Sequence, residues 1–303
     1  MQVKEWTYDE FPEFTEEVEG ACVLPTTGDE MGVHYIHNVE YAEIDGTKLH
    51  LQILLPFTRN DPEKVYPCVV FVQGSAWFPQ DVFQGLCRIS KLCERGYAVA
   101  VVEYRHSGIA AFPAQIMDAR NAVRFMRVHA GEYHVDPENI VISGDSSGGH
   151  TAMFAGMIHD DTENNLYPGI SAEVKGIVNY YGSCSVMNED SNPIQIHHCE
   201  PDSPEGMVMG HVDLRNNIEL KKKLSVECNI TSETVMPPTL IIHGTKDRLV
   251  NCECSVILYR QMKKCGKDVQ LYLLKGADHG GAEFWTDEVI DIVEGFLKNV
   301  FNY

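Results

Sequence analysis

Residues 144–149 are Gly-Asp-Ser-Ser-Gly-Gly, and they separate the apolar run Ile-Val-Ile at 140–142 from the helix-forming stretch at 150–155. This order predicts a strand, a sharp turn and a helix, with a serine at the apex of the turn. Gly-x-Ser-x-Gly in this setting is typical of a nucleophile elbow, because flanking glycines allow the tight backbone that lifts the hydroxyl clear. The pattern fits only with Ser146 at its centre, since a count from Ser147 places an aspartate where the first glycine belongs.

Strand and helix patterns alternate along most of the chain around this turn. The predicted strands are residues 39–44, 48–54, 68–72, 97–102, 140–142, 174–181, 239–243 and 269–274. The predicted helices are residues 83–95, 112–130, 150–155, 256–262 and 283–300. Asp45 and Gly46 lie between the first two strands, which predicts an antiparallel hairpin there. The predicted fold class is α/β, with a mostly parallel eight-stranded sheet covered by helices on both faces.

The alternation lapses between residues 184 and 236, a polar stretch with three prolines and the run Lys-Lys-Lys at 221–223. We predict a helical insertion here. A lid and a plain surface excursion are its two interpretations, and its place among the loops beyond the strand ends favours the lid. The predicted organisation is an acidic N-terminal segment at 1–35 and one α/β domain at 36–303 that carries the insertion at about 184–236.

The charge of the chain excludes some classes of partner. A formal net charge of −20 and a pI near 5.0 oppose binding to polyanions, because phosphate neutralisation needs clustered Lys and Arg. Neither nucleic acid nor an anionic membrane is therefore an expected partner. The first 30 residues carry nine acidic side chains against the single base Lys4. A solvated tail and a dimerisation element both stay open for this segment, so a homo-oligomer is an open alternative.

Targeting and cysteine patterns indicate a soluble cytoplasmic protein. The N-terminus lacks the basic start and apolar core of a signal peptide, and nowhere do eighteen apolar residues run together. Ten cysteines are scattered along the chain, several inside apolar runs, which predicts buried reduced thiols. The spacing of Cys252 and Cys254, with His-His-Cys upstream at 197–199, is not that of a zinc knuckle, so no metal site is predicted.

A serine hydroxyl needs a base, and the base needs a group that orients it. His279 is the histidine between the last predicted strand and the last predicted helix, in the glycine-rich loop 276–281. Asp247 follows the strand at 239–243 directly and is the predicted orienting acid. The order Ser146, Asp247, His279 is that of the α/β-hydrolase arrangement.

Two alternatives for this constellation are weaker. Asp278 adjoins His279, but neighbouring side chains on an extended loop diverge, so we expect Asp278 to shape the loop. Residues 144–149 also contain the near-match Gly-Asp-Ser-x-Gly-Gly to chymotrypsin-like proteases. Those enzymes place the catalytic histidine and aspartate before the serine, so the chain order excludes them.

The chain resembles α/β-hydrolase-fold carboxylesterases, in the branch related to hormone-sensitive-lipase-like enzymes and to bacterial feruloyl and acetyl-xylan esterases. The resemblance covers roughly residues 35 to 300. Its motifs are residues 72–77, 112–115, 136–137, 144–149, 203–206, 243–247 and 278–280. It implies a serine esterase that needs no metal or organic cofactor.

The resemblance also implies an oxyanion hole. The lipase-like relatives have His-Gly-Gly-Gly after the third strand, where this chain has Gln-Gly-Ser-Ala at 73–76. The backbone amides of Ser75 and Ala76 are expected to join that of Ser147, which begins a helix. The loop sequence Gln-Gly-Ser-Ala-Trp at 73–77, which ends in Trp77, resembles that of the feruloyl-esterase branch. Trp77 is expected to line the acyl pocket, with packing of the loop as the alternative.

The leading functional hypothesis is a serine carboxylesterase for short-acyl or hydroxycinnamoyl esters of plant-derived oligosaccharides. A serine peptidase resembling the prolyl-oligopeptidase catalytic domain has the same order of residues, but the chain shows no long N-terminal propeller. A non-catalytic binding protein with this fold is the alternative from another class. The substrate expectation depends on the resemblance, because one fold serves many functions.

Overall fold

A computed structural model describes residues 3–157, 165–187 and 195–302. Its strands are β1 Gly32–Ile44, β2 Thr47–Phe57, β3 Tyr66–Val72, β4 Ala98–Val102, β5 Val135–Asp145, β6 Ile177–Tyr180, β7 Thr239–Gly244 and β8 Val269–Leu274. Its α-helices are α1 Leu86–Glu94, α2 Ala114–Val128, α3 Ser147–Gly156, α4 Pro204–Val208, α5 Ile218–Leu224, α6 Glu253–Lys264 and α7 Asp287–Phe301.

The eight strands form one sheet in the order β1-β2-β4-β3-β5-β6-β7-β8. Strand β2 pairs antiparallel with both β1 and β4, and every pairing from β4 to β8 is parallel. The predicted α/β fold with an initial hairpin is therefore confirmed. Its turn is Asp45-Gly46, and both residues have positive φ, as a two-residue hairpin turn requires.

Helices cover both faces of the sheet because the central strands are apolar on both sides. All seven residues of β3 are buried. One apolar cluster packs β3 through Val70 and Val72 against α2, α3 and α6, and the other packs Val69 and Phe71 against α1 and α7. Alternate residues of one strand thus belong to different clusters, which is the expected arrangement for a strand in a parallel sheet.

Strand β1 begins at Gly32, seven residues before the predicted start at 39. It lies at the edge of the sheet and pairs only with β2, so many of its side chains are exposed. An edge strand of this kind lacks the apolar alternation that predicts a half-buried strand. Residues 3–31 contain no strand or helix, and the apolar side chains of Phe11, Phe14 and Val23 in this segment are exposed.

The insertion predicted at about 184–236 includes residues 188–194, which lie outside the described residues. Its described part holds α4, α5 and two short 3-10 helices. Phe112 N donates to Val208 O, and His198 Nε2 lies 2.8 Å from Leu249 O, so the insertion contacts the loops that follow β4 and β7. The lid function proposed for it stays a prediction. Among the described residues no helix combines the length and the apolar composition that a membrane span needs.

Candidate active site

The backbone at Ser146 has a strained conformation at the turn between β5 and α3. Its φ of 53° and ψ of −124° lie in a region that residues with a side chain rarely adopt. A Cβ on Gly148 would lie 2.0 Å from Val72 O, and one on Gly144 would lie 2.3 Å from Gly148 O. Strand β3, strand β5 and helix α3 therefore approach too closely for a side chain at either glycine.

The structure brings Ser146, Asp247 and His279 together at the carboxyl ends of β5, β7 and β8. Ser146 Oγ lies 2.8 Å from His279 Nε2, and His279 Nδ1 lies 2.7 Å from Asp247 Oδ2. An ionised carboxylate only accepts hydrogen bonds, so Nδ1 carries the proton and Nε2 accepts the serine hydroxyl. The Asp247 side chain is fully buried. His279 Nε2 can therefore accept the hydroxyl proton of Ser146, and the hydrogen bond from Nδ1 to Asp247 fixes the orientation of the ring.

Hydrogen bonds keep Asp247 ionised despite its burial. Its Oδ1 accepts the amides of Leu249 at 2.9 Å and Val250 at 2.8 Å, and its Oδ2 faces both His279 and His243. Burial raises the pKa of the Asp247 carboxyl, but the hydrogen bonds from the two histidines outweigh burial and hold the pKa well below its usual range. The site thus contains a buried anion next to His279 at neutral pH.

Asp278 does not contact the ring of His279. Its Oδ1 accepts the amides of Arg248 and His279, and its Oδ2 lies 2.6 Å from Arg248 Nε. The hydrogen bond from the Arg248 side chain is the main cause that lowers the pKa of Asp278 to about 2. Asp278 therefore joins the loop after β8 to the loop after β7.

The structure differs from the expected oxyanion hole at one of its three amides, that of Ser75. The Ser75 amide donates to Ser147 Oγ at 2.9 Å, so the expectation that it holds an oxyanion is corrected. The Trp77 amide donates to the same oxygen at 3.2 Å. Within the described part of the chain the Ala76 amide between them donates to no protein acceptor. The Ser147 amide lies in the first turn of α3, where backbone N–H groups have no intrahelical acceptor.

Trp77 packs in the protein core. Its side chain is 1% exposed, stands edge-on to the His150 ring at 5.1 Å, and donates from Nε1 to Thr151 Oγ1 at 3.4 Å. The expectation that the indole lines the acyl pocket is therefore corrected to its alternative, the packing of the oxyanion loop against α3.

Sequence reasoning missed two side chains that join the loops of the candidate site. Asp145 Oδ1 accepts the Gly74 amide at 2.7 Å, and Asp145 Oδ2 accepts the Tyr181 hydroxyl at 3.3 Å. The Tyr181 ring stands edge-on to the His279 ring at 4.8 Å. Burial raises the pKa of Asp145, and the Gly74 amide opposes that rise. Asp145 lies inside the elbow motif, but no local pattern indicates partners in the loops after two other strands.

Sequence reasoning also gave no role to His243, although it belongs to the motif at 243–247. Its ring is buried beside Asp247 at the end of β7. The described residues contain no group of three or more His, Cys, Asp and Glu side chains that could hold a metal ion.

Proteins that are named as esterases are among the relatives that this chain resembles in sequence. It is 24% identical over 261 residues to a probable isoprenylcysteine alpha-carbonyl methylesterase of Oryza sativa subsp. japonica, covering 82% of this chain and 62% of that relative. The chain spans about three fifths of the length of the curated relatives it matches.

Solved structures share the fold over nearly the whole chain. A truncated carbohydrate esterase from gut microbiota superposes with a TM-score of 0.76 at 24% identity, covering 92% of this chain and 99% of that one. A bifunctional GH43-CE protein of Bacteroides eggerthii superposes with a TM-score of 0.71 at 28% identity, covering 91% of this chain and 38% of that one. These matches confirm the α/β-hydrolase fold.

A sequence model of one family matches residues 51–262, which begin within β2 and include β3 to β7, the elbow and Asp247. His279 follows the matched region and completes the same cluster of side chains. The chain belongs to the BD-FAE family, with the α/β-hydrolase fold of the carboxylesterases that its motifs resemble.

Proposed function

We propose that the protein is a serine carboxylesterase in which Ser146 is the nucleophile, His279 the base and Asp247 the orienting acid. The observation that carries the proposal is the continuous line of hydrogen bonds from Ser146 Oγ through His279 to Asp247. Each atom in this line has the donor or acceptor role that acyl transfer needs. The esterase name of the rice relative supports the same reaction class.

In the proposed reaction, Ser146 Oγ attacks the ester carbonyl while His279 Nε2 takes its proton. Asp247 stabilises the resulting imidazolium and keeps its ring oriented. The carbonyl oxygen becomes an oxyanion that accepts the amides of Ala76 and Ser147. His279 then donates the proton to the leaving alcohol, and the acyl group remains on Ser146 Oγ.

A water completes the cycle by the same route. His279 takes a proton from the water as the water attacks the acyl-enzyme, and it returns that proton to Ser146 Oγ when the acid leaves. The proposed steps are thus proton transfers through one imidazole and charge stabilisation by two backbone amides.

The proposed substrates are short-acyl or hydroxycinnamoyl esters, including those of plant-derived oligosaccharides. The resemblance of residues 73–77 to feruloyl esterases and the membership of the BD-FAE family support this class. A panel of acetyl, butyryl and feruloyl esters, each free and on xylo-oligosaccharides, would rank the acyl groups and show whether the sugar contributes to kcat/KM.

The test of the reaction is hydrolysis of short p-nitrophenyl esters by wild type and Ser146→Ala. Loss of a triad serine lowers turnover on the order of a millionfold, so the alanine variant should be inactive. Ser90→Ala is the matched control, because among the described residues the Ser90 hydroxyl on α1 bonds only the carbonyl of Cys87. If Ser146→Ala kept more than about a tenth of the wild-type rate, Ser146 would not be the nucleophile.

Two further outcomes separate the alternatives. Cleavage of amino-acid p-nitroanilides without ester hydrolysis would indicate a peptidase. Failure of a fluorophosphonate to label Ser146 in folded wild-type protein would indicate a binding protein that lacks an activated serine.

A further inference from the structure

His243 is a fully buried histidine that the proposed proton transfers do not use. It lies on β7, four residues before Asp247, and its side chain has no exposed surface. It belongs to the same strand face as Ile241, which packs in the cluster shared with α6. This placement directs the ring between the end of the strand and the first turn of α6, where Ser255 lies.

The partners of the His243 ring define its tautomer. Nε2 lies 3.1 Å from Asp247 Oδ2 and 3.0 Å from Val250 O, and both of these atoms are acceptors. Nε2 therefore carries a proton and donates it to both. Nδ1 lies 2.7 Å from the Ser255 hydroxyl, which can donate to it. The neutral ring with its proton on Nε2 satisfies every one of these contacts.

The same contacts close a ring of hydrogen bonds around the Asp247 carboxylate. Oδ2 accepts from His243 and His279, and Oδ1 accepts the amides of Leu249 and Val250. Val250 takes part twice, since its N–H donates to Oδ1 and its C=O accepts from His243. Rotation of the carboxylate towards any other direction would break several of these bonds together.

We propose that His243 is a positioning residue, which holds Asp247 Oδ2 on the line towards His279 Nδ1 while Ser255 fixes its tautomer. The inference rests on the proposed function of Asp247. Without the His243 donor, the carboxylate keeps its backbone donors but loses the side-chain donor that fixes Oδ2. His279 would then spend less time in the orientation that accepts the Ser146 proton.

The test compares two replacements of similar volume. His243→Leu removes the donor, whereas the amide nitrogen of His243→Gln occupies nearly the same place as Nε2 and can donate to Asp247. A misplacement of about 1 Å at a reacting group costs on the order of a hundredfold. We expect His243→Leu to lower kcat about ten- to a hundredfold with KM changed less than about twofold, and His243→Gln to recover most of kcat.

His50→Gln is the matched control. His50 Nδ1 also contacts a carboxylate, that of Glu103 at 2.9 Å. His50 lies on β2, however, which is next to the edge of the sheet opposite to the edge near β7. The kcat of His50→Gln should equal that of wild type. A kcat for His243→Leu within about twofold of wild type would overturn the proposal, and so would equal losses in folded His243→Leu and His243→Gln.

A second measurement needs no substrate and remains decisive if His243→Leu does not fold. The proton between His279 Nδ1 and Asp247 Oδ2, which lie 2.7 Å apart, should give a far-downfield resonance in the proton NMR spectrum. Ser255→Ala removes the hydroxyl that fixes the His243 tautomer, and it should shift or broaden this resonance, whereas His50→Gln should not. An unchanged resonance in Ser255→Ala would overturn the proposal. Ester inactivity of wild type would overturn the proposed function instead.

Discussion

Two turns meet at the candidate active site, and they differ in how far backbone sterics and hydrogen bonds determine their shapes. The elbow at residues 144–149 is shaped by backbone sterics, since the contacts of Gly144 and Gly148 leave no room for a Cβ. The oxyanion loop at residues 73–77 follows β3 and shares this constraint at Gly74, where a Cβ would lie 2.3 Å from Asp145 O, but it has side chains at Ser75, Ala76 and Trp77. Its shape also depends on hydrogen bonds that its amides donate to Asp145 and Ser147, about 70 positions away in the chain.

This difference predicts which substitutions each turn should tolerate. A turn that is shaped by close backbone contacts is disrupted when a side-chain atom is added. A loop that is shaped by hydrogen bonds is disrupted when one of its hydrogen-bond partners is removed. The elbow should therefore respond to Gly→Ala changes in folding, and the oxyanion loop should respond to the loss of distant acceptors in catalysis.

Gly148→Ala should have the largest effect. Its Cβ would lie 2.0 Å from Val72 O, a backbone atom of a central strand that cannot move aside. We expect a loss of more than about 4 kcal/mol in the free energy of unfolding, measured by urea denaturation, or no folded protein at all. Ala76→Gly is the control with the opposite change, because it relieves a positive φ of 54° and should alter stability by less than about 1 kcal/mol. Equal stability of Gly148→Ala and wild type would show that sterics do not shape the elbow.

Ser147→Ala should have the next largest effect, and its main consequence should be on catalysis. It removes the Oγ that accepts the amides of Ser75 and Trp77, so the Ala76 amide between them loses its fixed direction. Loss of one oxyanion donor costs about a hundredfold or more, and a misdirected donor should cost about tenfold in kcat with KM nearly unchanged. Steady-state kinetics on p-nitrophenyl acetate would measure this, with Ser90→Ala as the control. An unchanged kcat would mean that the loop keeps its shape without Ser147 Oγ.

Acid should weaken the packing behind the oxyanion loop by a smaller amount. Burial lowers the pKa of His150 to about 4, from 6.5 for a free side chain. Between these values the unfolded chain binds a proton that the folded protein does not, so this contribution is complete above about pH 6.5 and declines as the pH falls. We expect His150 to account for a loss of about 2 kcal/mol between about pH 7 and pH 5.

Denaturant unfolding of wild type and His150→Asn at both pH values would test this expectation. The variant should show a smaller drop in stability over the range, by about 2 kcal/mol. His37→Gln is the control, because His37 is exposed on β1. The stability of this variant should change between the two pH values by the same amount as that of wild type. Equal pH dependence in wild type and His150→Asn would contradict the assignment of a neutral buried His150.

The same comparison explains what could be predicted from the sequence. The elbow consists of consecutive elements, namely strand β5, the turn at Ser146 and helix α3. A local sequence pattern therefore contains the whole elbow. Asp247 and His279 were predicted because each follows a strand whose apolar run is clear, and parallel strands end at one edge. The start of β1 was missed because an edge strand needs no apolar alternation.

The oxyanion loop could be predicted only in part. Nothing within residues 73–77 indicates that the Ser75 amide faces a hydroxyl on α3, since that direction arises only when β3 and β5 pair. The burial of the Trp77 indole against His150 has the same cause. The positions of side chains that join two strands depend on tertiary packing and leave no periodic signal in the sequence.

The contacts of Asp145 have a consequence for the order of folding events. Its carboxylate bonds Gly74 and Tyr181, which follow β3 and β6 and lie 71 and 36 residues away in the chain. Contacts between such distant residues form slowly, because the entropy of closing the intervening chain is lost before they stabilise the fold. The proposed nucleophile, oxyanion donors and histidine should therefore not reach their places before β3, β5 and β6 pair, and recovery of the proposed activity should report a completed central sheet.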